Sequence, residues 1–131
     1  MAATVRHLDP DDCSVRIVDH DRVNAARARM IPSSEAQQLT DLFRLLGDQT
    51  RVQILYALAE VGELCVCDLA AVVEAPETSV SHALRLLRAS GVVRNRKSGR
   101  MVYYSLDDAH VRLLLDVSAE HLRHDPATSR D

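Results

Sequence analysis

A chain of 131 residues, 47% of them hydrophobic, can form one packed domain and is too short for two of ordinary size. Its apolar runs are too short for a membrane span and its acidic start does not resemble a secretory signal, so we expect a cytoplasmic protein without a membrane partner. The net charge of −3 excludes a uniformly basic surface, and three cysteines, an odd number, do not make a disulfide framework.

The pattern of apolar residues predicts an arm, one domain and a tail. The arm covers residues 1–32 with a short helix over 22–29, and the polar tail at 125–131 is predicted to be disordered. A serine near position 33 and Asp48 are the predicted N-caps of the first two helices of the domain at 33–124. Its predicted elements are helices over 33–46, 48–61, 67–73 and 78–89, strands over 92–96 and 101–105, and a last helix from 107 or 108 to 124.

The order of these elements is typical of a winged helix-turn-helix, so the predicted fold is mainly α with a small β-hairpin. Residues 78–106 contain no Asp or Glu but six Arg and Lys residues. This segment can therefore present a phosphate-binding face, although a solvated basic surface without a DNA role is the alternative. The candidate DNA-binding residues are polar or basic and lie on the fourth helix and the hairpin: Thr78, Ser79, Ser81, His82, Arg85, Arg94, Arg96, Lys97 and Arg100.

Three segments resemble the ArsR/SmtB family of metal-sensing repressors: E-L-C-V-C-D at 63–68, S-V-S-H-A-L-R-L-L at 79–87, and G-V-V at 91–93 through Y-Y-S-L at 103–106. The similarity covers roughly residues 35–124. It implies a homodimer that binds a palindromic operator when free of metal, represses transcription, and dissociates when metal binds. It also implies that the DNA-reading helix lies over 78–88 and the wing over 92–106.

The last predicted helix carries four side chains that Zn²⁺, Co²⁺ or Ni²⁺ accepts as ligands: Asp108, His110, His121 and His124. The eleven residues from His110 to His121 span about 16 Å of rise and about 20° of rotation. The two ends share a face, but they are too far apart to bind one ion through bonds of about 2 Å.

A tetrahedral site therefore requires a second chain, and two antiparallel helices related by a two-fold axis provide two such sites. The resemblance implies the same inter-subunit site, with Glu in some relatives where this chain has His124. The alternative is that these are ordinary surface histidines. The predicted dimer seam consists of Val111, Leu114, Leu115, Val117 and Leu122.

A second, softer metal site is predicted at Cys65 and Cys67. Two cysteines at this spacing face one ion only if Cys65 is extended and Cys67 begins a helix, where the helix dipole favours a thiolate. Cys13 is the candidate third ligand and Asp19 or His20 the fourth, reaching from the other subunit. Family members with this site have a second arm cysteine, which is absent here. The alternatives are a buried apolar Cys65 and a redox role for the pair.

The leading hypothesis is a homodimeric repressor of double-stranded operator DNA that a divalent metal releases. Zn²⁺ is the first expectation, with Cd²⁺, Pb²⁺, Co²⁺ and Ni²⁺ as alternatives. A second hypothesis is a winged-helix regulator that senses thiol oxidation or another non-metal signal. A zinc hydrolase is disfavoured, because four protein ligands leave no position for water and no general base is suitably spaced.

Overall fold

A computed structural model describes residues 19–124, and the chain divides into two compact units at 1–36 and 37–131. In the first unit, Asp19 caps helix α1, since its carboxylate accepts a hydrogen bond from the backbone N–H of Arg22 at 3.0 Å. This helix confirms the short helix predicted in the arm. The helices are α1 (His20–Ala28), α2 (Ser33–Leu46), α3 (Gln49–Val61), α4 (Val66–Val73), α5 (Glu77–Ala89) and α6 (Ala109–Arg123); the strands are β1 (Leu64–Cys65), β2 (Val93–Ser98) and β3 (Met101–Leu106).

Side-chain capping decides where α3 begins but not where α2 begins. Asp48 caps α3 by accepting from the backbone N–H of Arg51 at 3.0 Å, as predicted. Ser33, by contrast, is the first residue of α2 rather than a residue before it, and the carbonyl of Pro32 accepts the N–H of Ala36 at 2.9 Å. Proline suits this position because its fixed φ is compatible with the start of a helix.

The sheet has three antiparallel strands in the order β1-β3-β2, one more than the predicted hairpin. β2 and β3 pair over six residues, whereas β1 adds two pairs, Leu64 with Tyr104 and Cys65 with Tyr103. Strand β1 was missed because two apolar residues directly before a helix show no alternation. It attaches the start of α4 to the hairpin.

The core lies between α3, α4, α5 and the base of the sheet. Its fully buried side chains include Ile54, Leu58, Leu69 and Leu84. Helix α6 joins this core through Leu115, which is 6% exposed. Among residues 19–124, no helix combines the length and apolar character that crossing a membrane requires.

The hydroxyl of Tyr56 links α3 to α6 by donating to the backbone carbonyl of Leu115 at 2.6 Å. Tyr56→Phe is therefore expected to lower the free energy of unfolding by about 1 kcal/mol, the usual contribution of one such hydrogen bond. Urea unfolding at fixed protein concentration measures the change. Tyr104→Phe is the matched control, because no hydrogen bond of the Tyr104 hydroxyl is found in the described part of the chain. Equal destabilisation by both variants would contradict a linking role for Tyr56.

Candidate nucleic-acid interface and metal sites

Helix α5 presents one polar face, because most of its apolar residues are buried in the core. Val80, Leu84 and Leu87 are fully buried, at spacings that mark one side of a helix. On the opposite side, the candidate DNA-binding residues Thr78, Ser79, His82 and Arg85 are exposed and Ser81 is half-buried. An exposed row of hydroxyl, imidazole and guanidinium groups is suited to base edges and phosphates in a major groove.

The start of α3 lies beside this polar face. Asp48, Thr50 and Arg51 line a cleft of about 410 Å³ together with Thr78, Ser79, His82 and Ala83 of α5. Thr50 is half-buried and was not among the predicted residues. Its place beside the polar face adds a hydroxyl to the candidate interface. Nothing in the local sequence around Thr50 signals this, because the contact joins residues far apart in the chain.

The hairpin of β2 and β3 forms the wing of the predicted fold. A two-residue turn at Gly99 and Arg100 joins the strands, and Gly99 has φ +62°, a left-handed conformation that glycine adopts without strain. The predicted residues Arg94, Lys97 and Arg100 are all exposed. These three cations are therefore accessible to a phosphate backbone.

Arg96, the remaining predicted wing residue, has partners within the chain. Its Nε and Nη2 donate to the two carboxylate oxygens of Glu63 at 2.7 and 2.9 Å, and its guanidinium carbon lies 4.9 Å from the centre of the Tyr103 ring. Hydrogen bonding to Arg96 lowers the pKa of the Glu63 carboxyl. Glu63 begins the E-L-C-V-C-D segment, but no partner was predicted for it.

The first turn of α6 holds two of the four predicted metal ligands. Asp108 is the N-cap, and its Oδ1 accepts from the backbone N–H groups of His110 at 2.9 Å and Val111 at 3.3 Å. These bonds lower the pKa of the Asp108 carboxyl. The other oxygen, Oδ2, lies 3.6 Å from Nδ1 of His110, whose side chain is 90% exposed. One carboxylate oxygen and Nε2 of the imidazole therefore remain available to a ligand.

The last turn of α6 and its C-cap hold the other two predicted metal ligands. His121 and His124 are exposed, and Nε2 of His124 lies 3.4 Å from a carboxylate oxygen of Glu120. A carboxylate at this distance orients an imidazole, as partners of metal-binding histidines commonly do. Glu120 was not among the predicted site residues. Within residues 19–124 of one chain, no three His, Cys, Asp or Glu side chains are grouped so that they can hold a metal ion.

Helix α6 also exposes apolar residues that the rest of residues 19–124 does not cover. Leu113, Val117 and Leu122 are 59%, 57% and 66% exposed. The predicted seam included Val117 and Leu122 but missed Leu113, and its Leu115 packs into the core instead. Beside α6, a groove of about 340 Å³ is lined mostly by apolar side chains, among them Phe43, Val52, Tyr56, Leu114, Leu115 and Leu122.

The capping role of Asp108 can be separated from ligation by two substitutions. Asn caps helices as well as Asp does but lacks the charge, so Asp108→Asn is expected to keep the melting temperature and to lower metal affinity by more than about tenfold. Asp108→Ala is expected to lower both. Thermal unfolding without metal and Co²⁺ absorbance titrations check the two effects. Co²⁺ binding by Asp108→Asn at the wild-type affinity would contradict a ligand role.

The cysteine pair has the predicted backbone arrangement. Cys65 is extended at φ −85° and ψ 172° directly before α4, and Cys67 lies in the first turn of that helix. Cys65 is buried at 5% exposure, whereas Cys67 is exposed. Two sulfur donors so arranged fit a soft metal, although only Cys67 is open to solvent.

The thiolate expected at Cys67 is opposed by an acidic neighbour. The negative charge of Glu77, in the first turn of α5, is the largest cause that raises the pKa of the Cys67 thiol. The pKa of the Cys67 thiol is thus raised, the opposite of the direction expected from the helix dipole. Of the other candidate ligands, Asp19 is engaged as the N-cap of α1, His20 is exposed, and Cys13 lies outside the described residues.

Residues 48–95, which span α3 to the start of the wing, match the family model described as bacterial regulatory protein, arsR family. The chain is 42% identical to a cadmium resistance transcriptional regulatory protein CadC homolog of Staphylococcus aureus, over 88% of this chain and 95% of that protein. It is 41% identical to a transcriptional repressor SmtB homolog of Synechocystis, over 85% and 83% of the two chains.

Solved structures show the same fold. The AntR antimony-specific transcriptional repressor superposes with a TM-score of 0.66 at 30% identity, covering 91% of this chain and 96% of that one. A homodimeric winged helix-turn-helix DNA-binding domain from Mycobacterium bovis also has a TM-score of 0.66, at 26% identity over 72% and 86% of the chains. The predicted winged helix-turn-helix is confirmed, and the chain belongs to the ArsR/SmtB family of transcriptional regulators.

Proposed function

We propose that this protein is a metal-responsive repressor that binds operator DNA as a homodimer and releases it when a divalent metal ion binds. The division of the ligands of α6 is the observation that carries the proposal. Asp108 and His110 lie at one end of the helix and His121 and His124 at the other, all exposed. Because each end supplies only two donors, a four-ligand site needs the opposite end of a partner helix.

The uncovered apolar surface of α6 supports a second copy of the chain as that partner. Antiparallel packing of two α6 helices covers Leu113 and Val117, which share one side of the helix, and brings the first turn of each helix to the last turn of the other. The resulting two sites have three imidazoles and one carboxylate each, a donor set that suits Zn²⁺ first and Co²⁺ or Ni²⁺ next. Relatives named for cadmium and antimony support a metal as the signal.

Operator binding is assigned to α5 and the wing. In a homodimer, two α5 helices can enter successive major grooves about 34 Å apart, with the wing cations on the flanking phosphates. We infer that the bridged α6 pair holds the α5 helices at a separation that no longer matches these grooves. A coupling of about 1–3 kcal/mol between the two binding events changes operator affinity by about 5–150-fold.

Cys65 and Cys67 are proposed as a second site for softer ions such as Cd²⁺ or Pb²⁺. Their backbone arrangement supports it, since an extended Cys65 and a helical Cys67 can face one ion. Cys13, Asp19 and His20 remain the candidate additional ligands, contributed by the partner subunit. The exposure of Cys67 favours an oxidation-sensing regulator as the second candidate function, whereas the raised pKa of its thiol opposes it.

Operator binding measured by fluorescence anisotropy tests these assignments. DNA selected from a random pool is titrated with metal-free protein, and then with Zn²⁺, Cd²⁺, Pb²⁺, Co²⁺ or Ni²⁺ present. We expect release by wild type, none by a His110→Ala/His121→Ala variant with Zn²⁺, and a weaker Cd²⁺ and Pb²⁺ response in Cys65→Ser/Cys67→Ser. If no metal weakens operator binding by wild type, the proposed function is wrong. Release by oxidant that survives the histidine substitutions would favour the second candidate.

A further inference from the structure

The pairing of Arg96 with Glu63 places an acidic group beside a basic segment that has no acidic residue of its own. Residues 78–106 contain no Asp or Glu, yet Glu63 reaches Arg96 from outside that segment through two hydrogen bonds of 2.7 and 2.9 Å. Guanidinium groups bind carboxylates and phosphates with the same two-pronged geometry. Glu63 therefore occupies the positions on Arg96 that a DNA phosphate would take.

The strand pairing of the sheet places Glu63 beside Arg96. Glu63 directly precedes β1, Cys65 of β1 pairs with Tyr103 of β3, and Tyr103 pairs with Arg96 of β2. Arg96 thus lies across β3 from β1, with its guanidinium over the Tyr103 ring at 4.9 Å. Arg94 lies two residues away on the same face of β2, and it lines a cleft of about 290 Å³ with Glu63, Asn95, Arg96 and Ser105.

Neither Arg96 nor Glu63 is buried deeply enough to need the other as a charge partner. The side chains of Arg96 and Glu63 are 56% and 38% exposed, so water can solvate either charge alone. Exposed ion pairs contribute little to folding. The cleft that they share with Arg94 is open, and Glu63 is the one acidic residue in its lining. Such a cleft suits a phosphate, with the Glu63 carboxylate as a competitor for Arg96.

We propose that Glu63 competes with the DNA backbone for Arg96, so that the wing carries an internal brake on operator binding. This inference rests on the proposed function, because it presupposes that the wing meets DNA. While Glu63 holds Nε and Nη2 of Arg96, these groups are not available to a phosphate oxygen, so wild type binds DNA without this contact. Removing the charge of Glu63 should therefore strengthen binding and add one phosphate contact for each protomer.

The test is the salt dependence of operator binding by metal-free Glu63→Gln. Each added phosphate contact steepens the slope of log K against log salt by about 0.9, so the dimer gains about 1.8. The affinity ratio of variant to wild type at 50 mM salt should then be about tenfold larger than at 200 mM. Glu60→Gln is the matched control, since it removes a charge from an exposed residue of α3 for which no ion pair is found among the described residues.

The same substitution in an Arg96→Gln background decides the mechanism. There we expect Glu63→Gln to change neither the affinity nor the slope by more than Glu60→Gln does. An equal effect of Glu63→Gln and Glu60→Gln in the wild-type background, or an effect that survives loss of Arg96, would overturn the brake alone. Failure of wild type to bind any operator would overturn the proposed function and the brake together. Thermal unfolding of each variant verifies that the fold is kept.

Discussion

Replacing His121 with alanine is expected to abolish metal-driven release of the operator while leaving metal-free binding unchanged. His121 is exposed on the last turn of α6, remote in sequence from α5 and the wing, so its loss removes a proposed ligand and no DNA contact. The ratio of operator Kd with and without Zn²⁺, expected to be about 5–150 in wild type, should fall to near 1. Anisotropy titrations with buffered Zn²⁺ measure this ratio.

Arg123→Ala provides the matched control, because Arg123 is also exposed in the last turn of α6 and is not a proposed ligand. It should keep the wild-type response. A metal response that persists in His121→Ala, with Cys65 and Cys67 also replaced by serine, would remove the α6 site from the switch. A response lost equally in both His121→Ala and Arg123→Ala would indicate damage to α6 rather than loss of a ligand.

The second large effect is expected on DNA recognition, where α5 and the wing should behave differently. Arg85→Ala should cost about 1–3 kcal/mol per protomer and relax the sequence preference, because an exposed arginine on the reading helix is placed for base edges. Lys97→Ala on the wing should weaken binding to all sequences alike and reduce the salt slope by about 1 per protomer. Titrations on operator and scrambled DNA over a range of salt concentrations separate the two.

Arg88→Ala serves as the control for Arg85→Ala. Arg88 is exposed in the last turn of α5, and recognition helices contact bases mainly through their N-terminal residues. Its loss should leave the sequence preference intact. If Arg85→Ala changed operator and scrambled binding by the same factor, Arg85 would be a phosphate contact rather than a base contact.

Much of the fold was predictable because it depends on local pattern. The apolar repeat of Val80, Leu84 and Leu87 predicted α5 and its buried face, and Asp48 capped α3 as expected. The hairpin was predictable because the side-chain pattern changes from a helical repeat to a two-residue repeat after α5. Strand β1 could not be predicted, because its identity as a strand lies in its pairing with β3 rather than in its own two residues.

The candidate sites were predictable only where spacing along one helix decides them. The separation of Asp108 and His110 from His121 and His124 followed from the geometry of α6 alone. The contact of Glu63 with Arg96 and the charge of Glu77 beside Cys67 join residues that are distant in sequence, so no local pattern reports them. Leu115 and Leu113 were misjudged for a related reason, since the neighbours of α6 decide which of its apolar residues are covered.

The central claim is that each α6 metal site takes its ligands from two chains, and a mixed dimer tests it most directly. One protomer carries His110→Ala and the other His121→Ala, with different affinity tags so that only mixed dimers are purified. Sharing between chains leaves one site with all four ligands and one with two, whereas a site within each chain leaves none intact. We predict one tightly bound Co²⁺ per mixed dimer, with the tetrahedral visible spectrum of wild type. A mixed dimer that binds Co²⁺ no better than the two parent variants would contradict the inter-subunit site.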